Sequence, residues 1–372
     1  MGEALQKLTL RGFKSIEALD DFELGKLTVL IGANGAGKSN FVDFFRMLRA
    51  LADEALQKFV NQQGGADRLF FLGPKYTREV WAHLVFGENQ YRFTLEPAAD
   101  SGLIVGQEET LYTGGMGAGT WSIIGRGKLE SAICDLKNEG GRLGARHGVE
   151  YYVHESLVSW VVYHFHDTSM AAPMRRDQSV RDRGALRHDG SNIAAFLLHL
   201  RKRHEETYTQ IRDAVRLVAP FLDEFFLEPE KNGELEQVRL EWRQKGSDFP
   251  FQPSQLSDGT IRFICLATAL SQPFPPATIV IDEPELGLHP FAISMLAELI
   301  QSAAERRQVI VSTQSPLLLD CFKPKDVVVV NRLEGRSIFQ RLDKEELRDW
   351  LADYTIGELW QKNVVQGGPE NA

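Results

Sequence analysis

Cysteine is scarce: the 372-residue chain has three, Cys134, Cys265 and Cys321. They are widely spaced and include no CxxC pair. That excludes a disulfide framework and the usual zinc spacings, and they read as reduced core thiols. Long apolar runs are missing as well. No stretch approaches the ~18 residues of a membrane span, and the first residues carry charge where a signal peptide would be apolar. A cytoplasmic protein with no membrane partner is expected. N-myristoylation is not, because Gln6 stands where the acylation pattern wants Ser or Thr. Positive charge is not in excess either: 42 Lys and Arg against 51 Asp and Glu leave a balance of −9. This argues against indiscriminate coating of nucleic acid while leaving room for a local basic patch. Internal repeats and low-complexity tracts are absent. What is present is a composition 43% hydrophobic and 25% charged, enough for a large buried core in roughly 2.5 domain-sized units.

Leu8–Arg11 and the apolar run Leu27–Ile31 read as strands, the second feeding straight into glycines. From Asn40 to about Phe59, the residues Phe41, Phe44, Phe45, Leu48, Leu51, Leu56 and Phe59 recur at helical spacing, predicting one helix packed on a sheet. Val80–Phe86 and Tyr91–Leu95 flank Gly87, Glu88 and Asn89, a hairpin signal, and Gly114–Gly119 reads as a glycine-rich loop. Between about Gly125 and Lys245 the pattern is mixed, with a strand at Trp160–Phe165 and helices at Asn192–His204 and Tyr208–Phe226. Thr278–Ile281, Gln308–Ser312 and Asp326–Val330 are apolar throughout, as in a covered parallel sheet, with a helix around Phe291–Ala304. A last helix is expected from Asp343, with Glu346 closing a capping box and Leu347, Trp350 and Leu351 on one side. The fold class expected is α/β with a mixed central sheet. Residues 1–124 form an N-terminal lobe with antiparallel strands, 125–245 an inserted, mostly helical subdomain, 246–335 a C-terminal lobe, and 336–372 a helix and tail.

Chemistry concentrates in two places. Gly32, Ala33, Asn34, Gly35, Ala36, Gly37, Lys38 and Ser39 (GANGAGKS) match the G-x-x-x-x-G-K-S/T phosphate loop, between an apolar strand and a helix that Asn40 continues. Glycines let the backbone wrap phosphates, Lys38 supplies charge at the β and γ positions, and the Ser39 hydroxyl suits Mg²⁺. Thr278–Ile281 then delivers Asp282 and Glu283 at a strand's C-terminal end, where such sheets bind ligands. Asp282 would hold Mg²⁺, directly or through water, and Glu283 would polarise an attacking water, a division of labour suited to ATP hydrolysis.

A third motif narrows the family. Leu256-Ser257-Asp258-Gly259-Thr260 precedes a nearly all-apolar helix, Ile261–Leu270, and Gly259 stands 23 residues before Asp282. LSDGT resembles the signature motif of ABC-class ATPases. That resemblance implies that Ser257, Asp258 and Gly259 of one subunit meet the γ-phosphate held by another, so that ATP joins a homodimer. Leu10-Arg11-Gly12-Phe13-Lys14-Ser15, the run Asp282–Pro290 (DEPELGLHP) and Ser312-Thr313-Gln314-Ser315-Pro316 resemble the branch that includes RecF, the SMC proteins and the OLD nucleases. The nearest likeness is to short bacterial AAA-like ATPases of the OLD or RecF type, many associated with phage defence. By position, the resemblance puts Phe13, Lys14 and Ser15 near the nucleotide base, Glu285–Leu288 in a loop that meets the opposite subunit, and Gln314 at the switch position. In much of the class the switch is His. An amide donates a similar hydrogen bond but carries no proton, so slow turnover is expected. The glutamine loop has no placeable counterpart, with Gln57, Gln62, Gln63, Gln90 and Gln107 as candidates.

Weaker signals have plainer readings beside the functional ones. Arg175, Arg176, Arg181, Arg183 and Arg187 form a basic stretch that could touch a phosphate backbone or simply be a solvated loop, with no aromatic interleaved for stacking. His164 and His166 beside Asp167 permit metal ligation on one strand face, but ordinary packing explains them without a fourth ligand. Asp189–Asn192 reads as a turn and helix cap, and Trp350 and Trp360 as core anchors. The inserted region is too short for SMC coiled arms, and 42 residues after the last strand candidate leave no space for an OLD nuclease domain. The expected function is a Mg-ATP-dependent dimeric switch coupled to DNA or to a separate nuclease or toxin. The competing readings are the nucleotide-binding subunit of a membrane transporter and an ATP-binding scaffold with little turnover.

Overall fold

The structure is a computed structural model that describes residues 2–99, 101–115, 119–136, 148–233, 235–343, 345 and 347–365. The chain opens with β1 (Lys7–Phe13), β2 (Ile16–Glu23), β3 (Leu27–Ile31), α1 (Lys38–Ala52) and α2 (Leu56–Gln62). Then come β4 (Val80–Phe86), β5 (Asn89–Pro97), β6 (Leu103–Tyr112), β7 (Ser122–Lys128), α3 (Ile133–Leu136), α4 (Val149–Val158) and β8 (Trp160–Tyr163). The middle holds β9 (Gln178–Ser179), α5 (Ile193–Arg203), α6 (Glu205–Val218), β10 (Leu222–Phe226), β11 (Glu230–Asn232), β12 (Leu235–Val238), β13 (Glu241–Gln244) and β14 (Pro250–Phe251). The final third runs α7 (Asp258–Ser271), β15 (Thr278–Asp282), α8 (Pro290–Arg306), β16 (Gln308–Thr313), α9 (Pro316–Leu319), β17 (Val327–Leu333), β18 (Arg336–Arg341) and α10 (Ile356–Gln361).

The central sheet has the order β18-β17-β3-β16-β15-β8, parallel except for the β17–β18 hairpin. Every residue of β3, β15 and β16 is buried because both faces are covered. Leu27, Val29 and Ile31 face the core formed with α5 to α8, whereas Leu30 faces the one formed with α1 and β1, β4 and β5. A second sheet, β2-β1-β4-β5-β6-β7, is antiparallel and lies on the α1 side. Phe41, Phe44, Phe45 and Leu48 of α1 are fully buried between the sheets, each contributing about 1.5–3 kcal/mol of transfer free energy. The mixed α/β class and the antiparallel layer agree with the sequence reading. The segment read as an insertion supplies β8 to the central sheet, beside β15, together with α5, α6, the three-stranded sheet β11-β12-β9 and two strands of the sheet β10-β13-β14, whose third strand lies beyond it.

Several boundaries differ for identifiable reasons. The single helix expected to Phe59 is two, because Glu54 turns left-handed (φ 55) and Ala55 N–H closes on Ala50 O at 2.8 Å, a Schellman stop without glycine. The helix expected to Phe226 ends at Val218, before Pro220, and the remainder becomes β10, paired with β13. The helix expected from Asp343 turns on Lys344 and Glu346, which lie outside the described residues, as does part of the Gly114–Gly119 loop. Among the described residues of this region, a capping box at Thr355 and Glu358 opens α10. Trp350 is exposed rather than a core anchor. The three cysteines are free thiols; Cys134 and Cys265 are buried and Cys321 is half-buried.

Candidate functional site

β3 ends at Ile31 and the chain runs through Gly32–Gly37 into α1, so the loop sits at the helix N-terminus, where unpaired amides and the helix dipole favour an anion. Two positions demand glycine. A Cβ on Gly32 would lie 2.2 Å from Val330 O, and one on Gly37 (φ 114) 1.9 Å from Ser337 Oγ. Ala33, Asn34 and Gly35 follow the strand, and Ala36 is buried. Lys38 folds back on its own loop, donating to Gly32 O at 2.6 Å and Ala33 O at 3.1 Å. Burial pulls its ammonium below the ordinary lysine range, opposed by the negative charges of Glu283, Asp282 and Glu285. Ser39, the next residue, is exposed.

Two residues that sequence reasoning missed brace this loop. Ser337 Oγ donates to Ala36 O at 2.6 Å and meets Ser15 Oγ at 2.6 Å, and Arg332 donates to Gly35 O at 2.9 Å. Both lie on the β17–β18 hairpin, whose Glu334-Gly335 turn, with φ 48 and 83, was a legible hairpin signal. Beside the loop is a cavity of about 420 Å³ lined by Lys14, Ser15, Asn40, Gln63, Phe71, Arg332 and others. Asn40 Nδ2 donates to Ser15 Oγ at 2.6 Å, and Lys14 Nζ donates to Asp43 at 2.6 Å and Gln63 at 2.8 Å. Phe13 does not belong to this set: it is fully buried, edge-on to Phe44, although it shares the parity of exposed Lys7 and Arg11, because left-handed Gly12 (φ 79) breaks the alternation of β1 just before it. Of the glutamine-loop candidates, Gln63 lines this cavity, whereas Gln57 binds Leu103 O and Leu129 O, and Gln90 binds His83.

β15 carries Asp282 to the carboxyl edge of the sheet, buried, with its Oδ1 accepting no hydrogen bond among the described residues. Glu283 then leaves the strand in a left-handed conformation (φ 44), held by its N–H on Ser312 O at 2.7 Å. Such strain in a non-glycine residue costs about 1–3 kcal/mol and persists where the surroundings dictate it. Gln314, just past the end of β16, donates from Nε2 to Glu283 Oε1. Buried Glu285 bonds the same strand end. At the end of β8, His166 Nε2 donates to Asp282 O at 2.9 Å, and the His164 and His166 rings lie 4.0 Å apart. Among the described residues no three His, Cys, Asp or Glu side chains form a metal cluster, and His164 Nδ1 also meets Arg46 at 3.3 Å.

Ser257 caps α7: its Oγ accepts from Thr260 N at 3.1 Å, satisfying one of the helix's free amides. Ser257 and Asp258 are exposed, and among the described residues no hydrogen bond joins them to residues 32–40. A Cβ on Gly259 would lie 2.3 Å from Gly287 O, so the signature helix rests against the loop after β15. Two buried arginines reinforce this junction. Arg175, read only as part of a basic stretch, donates to Thr168 O at 2.9 Å and to Pro253 O, Leu256 O and Asp258. Arg262 donates to Phe165 O at 2.9 Å, His166 O at 3.1 Å and Leu286 O. Nothing in composition distinguishes Arg175 from its exposed neighbours; only the fold does.

A protein-family model described as "AAA domain, putative AbiEii toxin, Type IV TA system" matches residues 27–113 and 154–320, more than half of the chain. No curated protein matches. Among solved structures, an SMC head bound to the C-terminal winged-helix domain of ScpA is 18% identical, with a TM-score of 0.55 over 93% of this chain and 99% of that one. A Pyrococcus furiosus SMC head with an extended coiled coil, bound to the C-terminal domain of ScpA, is 17% identical, with a TM-score of 0.52 over 94% and 98%. At such identities the likeness is one of fold, and it is the fold of a nucleotide-binding ATPase head. No helix of the described residues is long and apolar enough to cross a membrane. The chain therefore has the fold seen in SMC heads, and the family model, with the phosphate loop and strand-end carboxylates it spans, makes it a P-loop protein belonging to the family described as AAA domain, putative AbiEii toxin.

Proposed function

We propose that the protein is a Mg-ATP-dependent ATPase that works as a nucleotide-gated dimeric switch. The observation that carries this reading is the convergence of the phosphate loop with two strand-end carboxylates: β3, which feeds the loop and Lys38, and β15, which ends at Asp282, run parallel with only β16 between them and open at the same edge of the central sheet. Hydrolysis assigns each group a task. Lys38 leaves Gly32 O and Ala33 O for the β and γ phosphates, and Glu283 accepts a hydrogen bond from the attacking water and orients it in line with the leaving group. Lys14, Ser15 and Asn40 face the base and sugar side. Mg²⁺ suits the donors available, since the partnerless buried Asp282 Oδ1 and the exposed Ser39 hydroxyl are hard oxygens. When bound, it would neutralise charge developing on the phosphates.

Ser257, Asp258 and Gly259 of a second copy would cover the γ-phosphate from the far side; the exposure of Ser257 and Asp258 at the start of α7 supports this. The proposed output is coupling to DNA or to a separate nuclease or toxin, in DNA maintenance or phage defence; the family description names a toxin–antitoxin system. The test is light scattering of Glu283→Gln with and without Mg-ATP, alongside phosphate release by wild type. Dimers that form only with Mg-ATP and accumulate in the variant are expected. A variant that hydrolyses as fast as wild type would remove Glu283 from catalysis. The Gln314 amide resting on Glu283 favours a second reading, a scaffold that binds ATP with little turnover. Wild-type phosphate release no faster than that of the variant supports it.

A further inference from the structure

We propose that Glu285 is a positioning residue for hydrolysis: it fixes the end of β16 so that the Gln314 amide meets the Glu283 carboxylate. The proposal rests on the catalytic reading of Glu283 given above.

Glu285 lies two residues beyond Glu283 and is only 9% exposed. Its Oε1 accepts two hydrogen bonds, from Thr313 Oγ1 at 2.6 Å and from the Gln314 backbone N–H at 2.9 Å. Thr313 Oγ1 in turn accepts from Ser315 N–H at 3.0 Å, and Ser315 caps α9. One carboxylate oxygen therefore pins the turn that carries the strand into the next helix. With the backbone at Gln314 held, its side chain reaches Glu283 Oε1, and Glu283 N–H returns a bond to Ser312 O at 2.7 Å. The turns at 283–285 and 312–315 are laced at successive residues, with Glu285 supplying the bonds that set the position of the switch backbone.

Packing alone does not call for a carboxylate here. Burying one is costly unless its acceptors are used, and a methionine would fill the same volume without that cost. What Glu285 adds is a double acceptor aimed at consecutive donors, one of them the switch residue's own amide. Its second oxygen is buried and accepts no hydrogen bond among the described residues, so the side chain's polar contacts all serve the β16 end. These contacts lie within the same chain, which gives Glu285 a task distinct from that of exposed Leu286 and Gly287 in the loop that follows.

The experiment is steady-state ATP hydrolysis by the full chain as wild type, Glu285→Met, Glu285→Gln, Gln314→Ala and the Glu285→Met/Gln314→Ala double variant, with Glu285→Ala as a second truncation should the methionine variant fold poorly. Glu285→Met lowers kcat about tenfold with KM for ATP within about twofold. Glu285→Gln, whose amide oxygen accepts the same bonds, stays within about threefold of wild type. The double variant is no slower than the slower single, because both changes remove one function. Multiplied losses in the double variant, equal losses in the Gln and Met variants, or a loss confined to KM would each overturn the assignment. Wild-type hydrolysis with an unaffected Glu285→Met removes this inference alone, whereas wild type no faster than Glu283→Gln removes the underlying reading with it.

Discussion

Single side chains decide whether this site can exist. Arg175 ties two segments together by donating to the carbonyls of Thr168, Pro253 and Leu256. Arg175→Ala should therefore lower stability by about 3 kcal/mol in urea unfolding; a loss below about 0.5 kcal/mol would mean that water replaces the guanidinium. Gly259→Ala forces a Cβ onto Gly287 O and should cost about 1–3 kcal/mol while weakening hydrolysis, measured by thermal melts beside phosphate release; an unchanged melting curve counts against the close approach. Burial also raises the Glu285 carboxyl above its usual range. The native chain then keeps this proton where the unfolded chain has lost it, so the contribution to stability falls as pH rises from about 4.3 through the raised native value. The Tm of Glu285→Gln minus that of wild type should be more positive at pH 8 than at pH 5. These roles were poorly legible beforehand. GANGAGKS and TIVIDE announce their chemistry through short local patterns, whereas Arg175, Arg262 and Ser337 act on residues that are distant in sequence.

Secondary-structure elements were legible where apolar spacing alone specifies them. Leu27–Ile31 and Val80–Phe86 appear at the bounds expected, because continuous burial in one and alternation in the other leave little choice. Stops were harder. Glu54 closes α1 in a conformation usually taken by glycine, and β2, β6 and β7 have mixed polarity because one or both of their faces meet solvent. A capping box that the sequence reading did not single out opens α10: Thr355 accepts from Glu358 N–H at 3.2 Å, and Glu358 accepts from Thr355 N–H at 2.9 Å. Thr355→Ala should cost about 1 kcal/mol, read as a lowered Tm. α10 also donates Gly357 N–H to Asp320 Oδ1 at 2.6 Å, at the end of α9. Retained Tm in Thr355→Ala would mean that this docking contact, rather than the cap, holds the helix.

For the whole molecule, the central sheet is the shared wall of two cores, and β3 presents alternate residues to each. Neither core can open without exposing strands that support the other, so a single unfolding transition is expected despite the chain length. Trp160 sits in the core with α1, and Trp242 in the core with α5 to α8. Variants that retain one or the other tryptophan should give denaturant curves with the same midpoint; separated midpoints would mark independent units. The sequence pattern made a covered parallel sheet visible but not its strand order. Pairing partners such as β8 and β15, 118 positions apart at Trp160 and Thr278, leave no local trace.

The contact between Gly259 and Gly287 has a mechanical corollary. The surface a subunit would offer to its neighbour's nucleotide in the proposed dimer is seated, backbone against backbone, on the turn that follows its own carboxylates. In the proposed dimer, occupancy of one pocket would be felt at the other protein's ligand as a rigid displacement. Two such subunits brought face to face would fire in a correlated rhythm rather than as independent motors.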